Sequence, residues 1–259
     1  KKKEIIEDSV KTNHKARTAL ELLQSESRIN ISTITTSNHN NKKKYSKLHQ
    51  QIVAFQHTTD TKCLHRKNAK AEALHRVKTV VRMLWPRALV LLYGSYVSNL
   101  SLPSSDIDVV INLPRDSQRG PLDEHNAVRA TWQQMLAQRL EQCKWVEKVE
   151  TYGKPMGQAV AIIRVVTKPL ANNSCVKLDL SLQADRHNGV ASSGMVLSLC
   201  SEHRSLRPLL LVLKQLLLRR GLQTSHTGGL CSYGLVLMLA RFLQEQEPAS
   251  WKTVGHDIL

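Results

Sequence analysis

Asp106 and Asp108 alternate inside the stretch "SSDIDVVINL". On a β-strand that spacing puts both carboxylates on one face and Ile107 and Val109 on the other. Like charges side by side repel, and a carboxylate withdrawn from water is costly unless it is paired. A cation between the two removes both costs. A third acid, Asp179 in "VKLDLSL", stands between Leu178 and Leu180, which point into the opposite layer. If the two strands are neighbours, three carboxylates converge. Oxygen ligands without histidine or thiolate suit hard cations, Mg²⁺ or Mn²⁺. Two such ions, roughly 3.5–4 Å apart, are the recurring device for in-line phosphoryl or nucleotidyl transfer. Upstream, Gly94 and Ser95 close the apolar run "ALVLLYGS". A tight turn there presents backbone N–H groups and a hydroxyl to phosphate oxygens.

The elements that must hold these residues follow from periodicity. "ALVLLYG", "DIDVVINL", "VEKVETY", "AVAIIRVVT" and "CVKLDLSL" read as strands, and "EHNAVRATWQQMLAQRLEQC" as a helix. Two helices precede them, "LHQQIVAFQ" and "RKNAKAEALHRVKTVVRMLWP". The second is apolar at Ala73, Leu74, Val77, Val80, Val81 and Leu84, and Pro86 stops it. Beyond Ala184 the chain is helical in "GVASSGMVLSLC", "SLRPLLLVLKQLLLRR" and "GLCSYGLVLMLARFLQ". Helices, then strands, then helices predict an α+β fold, with an α+β module inserted into a helical module built by both chain ends. Residues 1–46 read as a basic, largely disordered segment, rich in Asn, Ser, Thr and Lys. Residues 47–80 are assigned to the helical module, 81–183 to the α+β module and 184–259 to the rest of the helical module.

Whole-chain features narrow the partner. The 259 residues carry a formal charge of +16, which suits a polyanion. No apolar run approaches the ~18 residues of a membrane span, so nucleic acid stands ahead of lipid and no membrane partner is expected. Aromatic residues are only 4%, which argues against a broad base-stacking platform. Cys63, Cys143, Cys175, Cys200 and Cys231 are scattered without a CxxC pair, which argues against a zinc site of the usual spacing, and their odd count fits a reducing compartment better than a disulfide framework. The sequence opens on Lys1 rather than methionine and is expected to be a piece of a longer chain.

Lys214 lies inside a leucine run, with Leu210, Leu217 and Leu218 one helical turn away. A lysine there either snorkels at a domain rim or meets an anionic partner across a cleft.

The order hydrophobic strand, Gly94-Ser95, loop, Asp106-x-Asp108 resembles the signature of the polymerase-beta-like nucleotidyltransferases. The fuller stretch "LWPRALVLLYGSYVSNLSLPSSDIDVVI" resembles the poly(A) RNA polymerases of the DNA polymerase sigma, or topoisomerase-related, group, with Trp-Pro before the first strand and "LP-x-SDID" at the acids. The likeness runs from "LHQQIVAF" through "VKLDLSL" and "LVLKQLLLRRGL" to "TGGLCSYGLVLMLARFLQ".

That resemblance implies a palm domain with a mixed sheet, followed by a helical central (PAP-associated) domain. It implies template-independent attack of an RNA 3′-hydroxyl on the α-phosphate of ATP, with two Mg²⁺ or Mn²⁺ ions. Asp106 and Asp108 would hold both ions and Asp179 the one that activates the hydroxyl. Gly94, Ser95, Asn188, Lys214, Ser232 and Tyr233 would bind the nucleotide: Lys214 at the triphosphate, Asn188 at the ribose, Ser232 near the phosphates and Tyr233 on the base. Leu218 stands where many relatives carry a second lysine.

The implied partners are an RNA 3′ end, a nucleoside triphosphate, a zinc-knuckle RNA-binding protein and an RNA helicase of an exosome-assisting complex. The implied setting is RNA surveillance in the nucleus, with the cytoplasm as the alternative. Terminal uridylyltransferases share every motif quoted, and an inactive RNA-binding scaffold relative is the second alternative. In the resembled family the helical domain continues past the Ser-Tyr helix. The chain is therefore expected to be truncated, with an exposed apolar face on "GLVLMLARFL".

Overall fold

The computed structural model describes residues 46–113, 122–152, 161–183, 187–224 and 228–246. All of the expected N-terminal basic segment except Ser46 lies outside the described residues. Two helices, α1 (Lys47–His65) and α2 (Lys67–Leu84), lead into β1 (Leu89–Tyr93) and a single helical turn, α3 (Gly94–Val97). Then come β2 (Ile107–Asn112), α4 (Leu122–Glu141), β3 (Val146–Tyr152), β4 (Ile162–Thr167) and β5 (Lys177–Leu182). Three helices close the described chain: α5 (Gly189–Glu202), α6 (Leu206–Arg219) and α7 (Ser232–Gln246). Among the described residues no helix is long and apolar enough to cross a membrane.

The five strands form one mixed sheet in the order β1-β2-β5-β4-β3. β2 and β5 run parallel, and the other neighbours are antiparallel. Alternation decides the faces. Ile107, Val109 and Ile111 of β2, Leu178 and Leu180 of β5, and Ile163 and Val165 of β4 turn into one buried layer. Leu136 and Leu140 of α4 fill that layer from one side.

The helices expected in the helical module through residue 80 divide differently. α2 carries Ala69, Ala73, Val77 and Val81 at four-residue spacing, and this narrow stripe lies in the sheet's own core. Small alanines at its start let the helix approach closely, and Trp85-Pro86 turns the chain straight into β1. α1 buries only Thr59, and its Asp60 accepts two hydrogen bonds from Arg207 of α6, at 3.2 and 2.5 Å. A second core gathers Val196 of α5, Leu206 and Leu210 of α6, and Leu235, Val236, Leu239 and Ala240 of α7. Leu100, from the loop between α3 and β2, is part of this second core. On α7, Leu237, Met238 and Phe242 remain exposed.

Replacing Leu180, fully buried between β2 and β4, by alanine should cost about 2–5 kcal/mol of unfolding free energy. Met238→Ala, at an exposed position, should stay within about 0.5 kcal/mol. Urea denaturation of both variants checks the layer assignment.

Candidate active site

Strand pairing brings the acids together before any side-chain detail is considered. The parallel register of β2 and β5 sets Asp108 beside Asp179. Tyr93 of β1 flanks Asp108, and Arg164 of β4 flanks Asp179. Glu150 of β3 extends the row, so Tyr93, Asp108, Asp179, Arg164 and Glu150 cross the whole sheet on one face. Asp106, two residues before Asp108, is on that face too, with its carboxylate oxygen 3.5 Å from an Arg164 nitrogen.

Arg164 is not among the residues singled out from sequence. Its Nε donates to Asp179 Oδ1 at 2.8 Å and its Nη2 to Oδ2 at 2.7 Å, a two-pronged pairing. The guanidinium also lies 5.3 Å from the Tyr152 ring centre. The signal was the one that marked Asp179: a charged residue alternating within an apolar strand, "AIIRVVT".

Charge crowding shows in the proton affinities. Burial, then the charges of Asp179 and Asp106, push Asp108 up to about 7, and Lys214 and Arg164 hold it back in part. Asp106 is raised by burial and by Asp179, against the pull of Arg164, Lys177 and Lys70. Arg164 is raised by its hydrogen bonds to Asp179.

Gly94 opens the turn at φ +72°, and a Cβ built there would stand 2.2 Å from Asp108 Oδ2. The position needs glycine for both reasons. Its N–H donates to Ser193 Oγ of α5 at 2.7 Å, and that hydroxyl in turn donates to Gly189 O. The first amide of the turn therefore binds the protein itself rather than standing open to a phosphate. Ser95 Oγ lies 3.3 Å from Ser101 Oγ.

Lys214 is 8% exposed and donates to Leu100 O at 2.7 Å. Burial lowers its pKa to about 8, and the charge of Asp108 acts against that shift. Asn188 is exposed just before α5, and Ser232 and Tyr233 are exposed at the first turn of α7. None of these three makes a side-chain hydrogen bond among the described residues. The structure thus sets Asp106, Asp108 and Asp179 on one sheet face with Gly94 against Asp108, pairs Ser95 with Ser101 and Lys214 with Leu100 O, and leaves Asn188, Ser232 and Tyr233 exposed.

The donor set fits a hard divalent ion: three carboxylates, two of them with proton affinity raised by burial and by their neighbouring carboxylates. Among the described residues no three acidic, His or Cys side chains form a ready metal cage. In this arrangement Arg164 takes both oxygens of Asp179.

A carboxylate row on the open face of a mixed sheet, fed by a glycine turn, is the palm architecture of nucleotidyltransferases. Residues 48–197 match the family described as poly(A) RNA polymerase, mitochondrial-like, central palm domain, and the chain belongs to that family. It is 29% identical over 199 residues to the poly(A) RNA polymerase gld-4 of Caenorhabditis elegans, covering 76% of this chain and 21% of that protein. It is 27% identical over 221 residues to the inactive poly(A) RNA polymerase protein Trf4-2 of Drosophila melanogaster, covering 82% and 48% respectively. Among solved structures, the polymerase core of TRAMP, an RNA surveillance complex, matches with a TM-score of 0.57 at 27% identity, over 70% of this chain and 50% of that one. The chain therefore spans half or less of each of these relatives.

Asp108 binds its proton to about pH 7 in the folded chain, against 3.8 for a free carboxyl. Between those values the native state holds more protons than the unfolded one, so metal-free stability should fall as pH rises from about 4 to 7. Urea midpoints across that window should show the decline in the wild type, less of it in Asp108→Asn, and less with excess Mg²⁺. An identical pH slope in wild type and Asp108→Asn would contradict the crowded placement of this carboxylate.

Proposed function

We propose that this chain carries the catalytic part of a template-independent RNA 3′-end nucleotidyltransferase that adds AMP from ATP and releases pyrophosphate. The observation that carries the proposal is the in-register pair Asp108 and Asp179, with Asp106 on the same face. Divalent ions bound by Asp106, Asp108 and Asp179 would supply Lewis acidity, lowering the pKa of the attacking hydroxyl and neutralising charge on the leaving phosphates. The chain's own residues do the rest. Gly94 keeps the space beside the Asp108 carboxylate free of a side chain. Arg164 pairs with both oxygens of Asp179 and fixes the plane of its carboxylate. Lys214, largely protonated at neutral pH, places a positive charge beside Asp108 for a triphosphate. Tyr233, exposed on α7, offers a ring for a base, and Asn188 and Ser232 offer hydrogen-bond groups for ribose and phosphate.

The net charge of +16 supports an RNA strand as the acceptor. By analogy with the TRAMP core, the polymerase of an RNA surveillance complex, the setting is RNA surveillance; the family resemblance read from the sequence adds a zinc-knuckle RNA-binding partner and a helicase, in the nucleus or the cytoplasm. The inactive relative Trf4-2 makes a non-catalytic RNA-binding role the specific rival. The complete acid set in this chain favours catalysis.

Extension of a labelled RNA primer with each nucleoside triphosphate, in Mg²⁺ and then Mn²⁺, decides among these. Stepwise growth with ATP supports the proposal, growth with UTP alone makes the protein a uridylyltransferase, and RNA binding without growth makes it a scaffold. Asp108→Ala should abolish growth. Lys214→Ala should raise the nucleotide KM more than it lowers kcat.

A further inference from the structure

The segment between the glycine turn and β2 is held through its carbonyls by donors from elsewhere in the chain. Arg207 donates to Asn99 O at 3.0 Å and Lys214 to Leu100 O at 2.7 Å. Cys63 Sγ approaches Ser101 O at 3.4 Å, Arg66 Nη1 donates to Pro103 O at 2.7 Å, and Lys70 Nζ to Ser105 O at 3.3 Å. Leu102 O accepts from Ser105 N within the loop. Two of these donors, Arg66 and Lys70, stand one turn apart at the start of α2, outside the metal and nucleotide ligands proposed above.

Arg66 does more than hold one loop. Its Nη2 donates to Cys175 O, so one guanidinium bridges Pro103 and Cys175. Pro103 lies three residues ahead of Asp106, and Cys175 four ahead of Asp179. β2 and β5 are parallel, and no hairpin sets their register. A slip of one residue would turn Asp179 into the core. The planar fork of an arginine is suited to fixing two backbone segments at one spacing, and a lysine ammonium is not. Arg66 Nε is buried without a hydrogen-bond partner among the described residues, a cost that packing alone does not explain. Lys70 is 4% exposed, and its ammonium lies 5.4 Å from the Tyr96 ring centre. It grips the residue directly before Asp106.

We infer that Arg66 and Lys70 are positioning residues for the three acids. Arg66 sets the lead-ins of both acid-bearing strands at one spacing, and Lys70 fixes the residue that delivers Asp106. The inference rests on the nucleotidyl-transfer proposal for what the acids do, but its readout is metal binding. Side chains that orient metal ligands from behind commonly change metal affinity by about 10–100-fold when replaced. Loss of a nearby positive charge alone would tighten binding of a cation, so weaker binding in Lys70→Met reports lost position rather than lost charge.

The test is calorimetric titration of the full chain with Mn²⁺, using the signal that disappears in Asp108→Ala, alongside primer extension. Arg66→Lys and Lys70→Met should each weaken Mn²⁺ binding by about tenfold or more. Each should also lower kcat with little change in nucleotide KM. Lys70→Arg should recover most of the affinity. Val77→Ala, which opens a cavity further along α2, should lower the melting midpoint without changing Mn²⁺ affinity. Wild-type affinity in folded Arg66→Lys, or equal weakening in Val77→Ala, would overturn the assignment. Should Arg66→Lys fail to fold, Lys70→Met and Lys70→Arg decide. A wild type that binds Mn²⁺ through Asp108 yet extends no primer defeats the activity proposal and leaves the positioning inference to the isotherms. A wild type that binds no Mn²⁺ at the acids defeats the positioning inference as well.

Discussion

Asp108 and Asp179 are neighbours across a parallel strand pair, and carboxylates so placed repel each other through a partly desolvated space. Asp106 adds a third charge two residues away. The surrounding structure answers that repulsion from several sides. Arg164 pairs with Asp179 and leans toward Asp106, the charge of Lys214 acts on Asp108, and those of Lys177 and Lys70 act on Asp106. Arg164 alone reaches two of the three carboxylates, with the same Nη2 at 2.7 Å from Asp179 and 3.5 Å from Asp106. The proton affinity of Asp108 is still raised, by burial first and then by the charges of Asp179 and Asp106.

The loop from Asn99 to Ser105 is where the two hydrophobic cores meet the acids. Leu100 buries its side chain in the helical core while its carbonyl accepts from Lys214, itself on the buried stripe of α6. Arg207, on the same helix, joins Asn99 O to Asp60 of α1. From the other side α2 contributes Arg66 and Lys70 and sends its alanine and valine stripe into the sheet core. The loop is thus held both by its two buried leucines, Leu100 and Leu102, and by hydrogen bonds to its backbone, four of them from charged donors.

Much of this was legible in the sequence because strand alternation is strict. "DIDVV" and "KLDLS" each place an acid opposite a pair of buried apolar residues, and the faces follow without knowledge of the fold. The strand order was not legible, and Arg164 was missed for that reason. An arginine in "IIRVVT" gains meaning only once β4 is known to lie beside β5. Placing α2 with the helical module failed for a related reason. An amphipathic stripe reveals that a helix is packed but not against which layer, and Ala69, Ala73 and Val77 suit a sheet as well as a helix. The free amide expected at Gly94 proved to be taken by Ser193, a long-range hydrogen bond that no local pattern encodes.

Lys214 shows how one buried charge can be consistent with both the fold and the chemistry. An ammonium in a leucine stripe is costly, and the Leu100 carbonyl offsets only part of that cost, since its pKa still falls to about 8. Its attraction to Asp108 works against that fall, and the same attraction limits the rise at Asp108. The two groups therefore restrain each other: removing either leaves the other more strained, at a point where strand, loop and helix converge. An apolar replacement of Lys214 would relieve the helix and burden the acids. Fold stability alone therefore does not require a lysine on this face; its charge limits the rise at Asp108, which burial and the neighbouring carboxylates still push up to about 7.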